Sequence, residues 1–180
     1  MRKFIRHLVR ATARLGVEER AASAVEFALI LPAFVALLFA AFQVAVFLFA
    51  QQVLQNAANE AGRLFMTGQG QSDTQAAFKT QICNNYLPSI LFNCNSLVVV
   101  AQTYTNFAAA STSMPALYNN GQPVTNWAYT PGTAGQIMVV QLIYPWSVVT
   151  GPLGFSLASA GMPKNTSEMM GVTAFRIEPY

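Results

Sequence analysis

Few side chains in this sequence have the type and spacing for catalysis. The single histidine, His7, lies near the N-terminus among basic residues. The two cysteines, Cys83 and Cys94, stand far from it in the chain, beyond a long apolar run. A Cys/His nucleophile pair is therefore not expected, and two thiols without supporting histidines do not make a zinc site. Beyond Glu60 the acids are Asp73, Glu168 and Glu178, scattered with no spacing that argues for a two-carboxylate hydrolase. Gly68-Gln69-Gly70 lacks the later glycine and the strand–helix setting of a dinucleotide loop. Asn165-Thr166-Ser167 has the form of a glycosylation sequon and is read as chance. The chain is expected to be no enzyme and to need no cofactor and no metal. The alternatives in other classes are a signal-anchored periplasmic enzyme and a tethered ligand-binding module. Trp127 and Trp146 on one concave surface would favour the module.

Two features invite a different chemistry. Cys83 and Cys94 would form a disulfide in an oxidising compartment, worth about 3 kcal/mol in the chain-entropy account of loop closure. Glu26 stands at the mouth of the apolar run, where a carboxylate is costly without a partner.

Charged residues make up 9% of the chain, against about 25% in an average soluble protein. Six of the ten basic residues, Arg2, Lys3, Arg6, Arg10, Arg14 and Arg20, precede the apolar run. The alkaline isoelectric point thus reports the tail and not the body, and no nucleic-acid partner is expected. From Phe27 to Ala50 there is no charged residue. At about 1.5 Å per residue this run reaches about 36 Å, enough for a hydrocarbon core of about 30 Å. It is too long for the apolar region of a secretory signal peptide, and the segment after it continues as helix. The excess of Lys and Arg before the run places the N-terminus in the cytoplasm.

After Ala50 the apolar positions become periodic. Val53, Leu54, Ala57, Ala58, Ala61, Leu64 and Phe65 form one stripe, with Gln51, Gln52, Gln55, Asn56, Asn59, Glu60 and Arg63 on the other face. Gly68 is a stop signal. One helix is expected over 22–66, between a basic leader at 1–21 and an exported α+β domain at 67–180. In that domain Ser72 is read as the cap of a helix burying Phe78, Ile82, Cys83 and Tyr86. Strands are expected at 97–101, 137–144 and 172–178, the last with Thr173, Phe175 and Ile177 on one face and an Arg176–Glu178 pair on the other. Asn120-Gly121 signals a hairpin, 107–113 is read as a short irregular helix, and 145–163 as a loop. The strands would make a small antiparallel sheet packed on the helix.

The block Ala21-Ala22-Ser23-Ala24-Val25-Glu26-Phe27-Ala28, followed by Leu31-Pro32 inside an apolar helix, resembles the TadE-like pilus assembly proteins of the tight-adherence (Flp) type IV pilus system. The Gln/Asn/Ala-rich stretch from Gln51 to Arg63 and the closing Phe175-Arg176-Ile177-Glu178-Pro179-Tyr180 extend the likeness. The resemblance implies a pilin-like fold and a minor pilin or pseudopilin in the bacterial inner membrane, with a periplasmic C-terminal domain. It further implies cutting by a prepilin peptidase between Ala21 and Ala22, with Glu26 and Phe27 in recognition and helix register. The partners it implies are the lipid bilayer, that peptidase, and other pilus assembly proteins or pilin subunits. Ala21 stands where many prepilins carry glycine.

Overall fold

The computed structural model describes residues 19–110, 117–119, 122–151 and 154–179. Helix α1, Glu19–Met66, runs 48 residues and passes through Pro32 without ending. From Ser23 to Phe39 every residue except Ala36 is exposed. Further along, one side becomes buried at Ala50, Leu54, Ala57, Ala58, Ala61, Leu64 and Phe65. The helix ends on a left-handed glycine. Gly68 has φ 77°, its N–H donates to Phe65 O, and Gln69 N donates to Leu64 O. This pair of bonds satisfies carbonyls that the helix end would leave bare.

Helix α2, Gln75–Tyr86, is capped by Thr74, whose hydroxyl accepts from Ala77 N at 3.2 Å. The cap is thus Thr74 and not Ser72, and the buried face is Phe78, Ile82 and Cys83. A 3-10 turn, Cys94–Ser96, leads into β1, Val98–Tyr104. A short hairpin pairs β2, Tyr118–Asn119, with β3, Gln122–Pro123. The Asn120-Gly121 turn itself lies outside the described residues, as do residues 111–113 of the short helix expected over 107–113; residues 107–110 form a turn.

The main sheet has three antiparallel strands in the order β1, β4 (Ile137–Ser147), β5 (Thr166–Arg176). All three strands are longer than the sequence reading, β1 running on to Tyr104. β4 continues through Pro145 because β1 has already ended at the Val98–Ile143 pair, so the proline's missing N–H deprives no neighbouring strand. β5 starts at Thr166 and not Val172, passing through Gly171. A Cβ there would meet Leu54 O at 2.6 Å, so the glycine that breaks the sequence pattern is what lets helix and strand touch.

The sheet's inner face meets α1 and α2. Val99, Ala101, Met138, Val140, Leu142, Tyr144, Met169 and Phe175 join the α1 stripe and Phe78, Ile82 and Phe92 in one core. A smaller cluster of Val100, Leu117 and Ile143 lies on the outer face, with Trp127 packed against it. The architecture is α+β, a long N-terminal helix laid on a small antiparallel sheet.

Candidate functional site

Among the described residues α1 is the one helix long and apolar enough to cross a membrane, which makes it a single-pass anchor by length and composition. Ala21 and Ala22 lie within its first turn, and Glu26 and Phe27 follow one turn later. Glu26 is exposed and Phe27 is 64% exposed, so both stand on the bare part of the helix. Position 26 is about 6 Å along the axis from position 22, within reach of an amine placed there.

The half of α1 that meets the sheet does so through close backbone approach. Ala57, Ala58, Ala61 and Gly62 keep its surface low, and a Cβ at Gly62 would meet Thr173 Cγ2 at 2.7 Å. Three glutamines then reach past this seam. Gln43 Nε2 donates to Val149 O at 2.6 Å, Gln51 Nε2 to Met170 O at 2.7 Å, and Gln55 Nε2 to Val172 O at 2.8 Å. Val172 N returns a bond to Gln55 Oε1 at 3.1 Å. Gln51 and Gln55 therefore serve the sheet, where the sequence reading put them on the face opposite the apolar stripe. β5 is an edge strand, and its unpaired backbone groups draw the two amides across. Periodicity alone sorts residues by polarity and so misses a polar side chain that faces a strand edge.

Cys83 and Cys94 are joined in a disulfide, with Cα atoms 5.8 Å apart. It ties the last turn of α2 to the turn before β1. Phe65, Phe78 and Tyr129 form an aromatic group, with the Phe65 and Phe78 rings 4.4 Å apart. Burial, helped by the Asp73 charge, pushes the Tyr129 hydroxyl up to about 12, and that hydroxyl is buried without a hydrogen bond.

The C-terminal signature is split by the strand. Phe175 is buried against Gly62, and Ile177 is buried too. Arg176 does not pair with Glu178: its Nε donates to Gly135 O at 2.9 Å. The Ile177 backbone bonds on both sides of the same turn, to Gln136 and Gly135, which draws Arg176 to Gly135 and away from its neighbour. The ion pair found among the described residues is Arg63–Glu60, at 2.8 Å. Glu178 and Pro179 are exposed, and Tyr180 lies outside the described residues, as do His7, Arg2, Lys3, Arg6, Arg10 and Arg14. The two tryptophans do not share a surface: Trp127 packs on the outer cluster, Trp146 on the inner core beside Phe92.

A family model described as TadE-like protein matches residues 21–63, which are 43 of the 180 residues and all lie within α1. Over residues 21–63 the chain is similar to the TadE-like proteins. The matched segment holds the Glu26–Phe27 step, the bare apolar span and Gln43, Gln51 and Gln55. No curated protein and no solved structure matches the chain.

Proposed function

We propose that this protein is a structural component of tight-adherence pilus assembly, a minor pilin or pseudopilin. It is seated in the bacterial inner membrane by α1, with residues 67–180 in the periplasm. The observation that carries this reading is the TadE-like match on α1, the element that forms both the anchor and one wall of the core. The basic residues before the span support a cytoplasmic N-terminus. The Cys83–Cys94 disulfide supports an oxidising compartment for the rest.

In this reading a prepilin peptidase cuts between Ala21 and Ala22. The new amine at Ala22 pairs with Glu26 of its own chain or a neighbour's, offsetting the desolvation of both charges and setting helix register. The exported domain does no chemistry; it presents a surface to pilus assembly proteins or pilin subunits.

The test is genetic and chemical together. A strain lacking the protein should lose its pili and regain them with the wild-type chain, but not with Glu26→Ala at equal membrane abundance. The mature protein should begin at Ala22 when the peptidase is present and upstream of it when the peptidase is absent. Normal piliation without the protein would overturn the assignment.

A further inference from the structure

We infer that the end of the C-terminal domain nearest the span is a membrane-contacting foot, in which Ile90, Val149 and Phe155 rest on the lipid surface beside α1. This inference rests on reading α1 as a membrane anchor.

The direction of the chain decides which end faces the bilayer. Along α1, Gln43 bonds Val149, Gln51 bonds Met170, Gln55 bonds Val172, and Gly62 packs on Thr173 and Phe175. β5 therefore runs the same way as the helix, and its Thr166 end points toward the bare span. Its antiparallel partner β4 points its Ser147 end the same way, through the Ser147–Thr166 pair. Val149 follows two residues after Ser147.

Among the described residues outside α1, the large exposed apolar ones are Ile90, Phe107, Val149, Phe155 and Val172. Three of these side chains, Ile90, Val149 and Phe155, lie at that end, while Phe107 and Val172 line a separate part of the sheet. Val149 is bonded directly to the helix through its carbonyl, and Phe155 O accepts from Gly151 N, holding Phe155 beside it. Ile90 belongs to the loop whose Phe92 packs on Tyr144 and Trp146 and whose Asn93 N donates to Tyr144 Oη at 2.9 Å. Ile90 is 90% exposed, which leaves its whole side chain unpartnered within the chain. Half-buried Trp146 and exposed Lys164 stand at the same end, and both residue types suit the headgroup region.

Depth agrees with position. A hydrocarbon core of about 30 Å takes about 20 residues, and from Phe27 that count ends at Val46. Gln43 lies within the last turn of that stretch. On the side of α1 away from the domain, Phe42, Leu48 and Phe49 are exposed at this level. Lipid that covers those side chains reaches the height at which Val149 is bonded to Gln43. The span and the foot are thus one continuous apolar surface, and the occupant it fits is the bilayer interface. The Gln43–Val149 bond also gives the span's amide Nε2 a partner, while Gln43 Oε1 is buried without one.

The test uses the full chain in vesicles of phosphatidylcholine with brominated acyl chains. A single environment-sensitive fluorophore is placed at Val149→Cys, Phe155→Cys or Ile90→Cys, with Leu38→Cys as the mid-span control and Gln69→Cys as the control far from the span. Quenching at 38 and about twofold quenching at 149, 155 and 90, with none at 69, is the expected pattern for interfacial insertion. Quenching at 38 while 149, 155 and 90 behave like 69 overturns the foot and leaves the anchor standing. No quenching at 38 overturns the anchor itself. Shielding at 149, 155 and 90 that disappears as the protein is diluted in lipid, without quenching, assigns the surface to a second copy and overturns the lipid reading.

Discussion

Gln55 and Val172 exchange two hydrogen bonds, one from the side-chain amide to the strand carbonyl and one from the strand amide back to the side chain. A helix residue here fills the place that a neighbouring strand would take at the edge of the sheet. Gln55→Leu should leave both backbone groups of Val172 without these partners and cost about 1–3 kcal/mol. Thermal unfolding of the full chain in micelles reads the loss, and hydrogen exchange at the Val172 amide should quicken in the same variant.

The helix–strand seam predicts an order between two glycine substitutions. At Gly171 the new methyl meets backbone, Leu54 O at 2.6 Å; at Gly62 it meets the side chains of Thr173 and Phe175. Side chains yield more readily than a helix backbone. Gly171→Ala should therefore destabilise by about 2 kcal/mol or more, and Gly62→Ala by less. Equal melting temperatures for the two variants would contradict the packing described.

Much of this was legible in advance, and for identifiable reasons. The anchor is a property of composition over 24 residues, and the stripe from Leu54 to Phe65 a property of spacing; neither needs tertiary information. Gly68 likewise announces a local event, the helix stop. The cap at Thr74 is a local miss, two residues from the Ser72 expected; the larger misses depend on what the tertiary fold sets against a residue. Gly171 reads as a break until the Leu54 carbonyl is seen against it. Pro145 reads as a loop until β1 is known to have ended. Arg176 and Glu178 fall on one strand face by alternation, but the Gly135 carbonyl competes for the guanidinium and wins.

Glu168 carries the pH dependence. Burial raises its carboxyl above the usual range, a donation from the Leu117 backbone pulls the other way, and Oε1 is buried without a partner. The folded chain thus holds this proton more tightly than the unfolded chain. Its stabilising effect is full below the ordinary glutamate range and is lost as pH rises through the folded value. Glu168→Gln removes the charge, so the variant should melt higher than wild type near pH 7, with the gap closing toward pH 4. Melting curves across that range check the sign.

The Cys83–Cys94 bond predicts a redox effect on stability. Replacing both with serine, or reducing the bond, should cost about 3 kcal/mol, because the loop between α2 and β1 regains its freedom in the unfolded chain. Denaturant unfolding with and without reductant measures this in wild type, and the double serine variant should show no response to reductant.

The parallel course of α1 and β5 has a mechanical side. A pull along the helix axis, with the domain held, would slide the helix lengthwise against the strand. The amides of Gln51 and Gln55 and the steric keys at Gly62 and Gly171 would then bear the load together and not one after another. A pull across the axis would peel the same contacts apart singly. The seam is built to be stiff in the direction in which a membrane-held helix is tugged, and soft in the direction in which it is not.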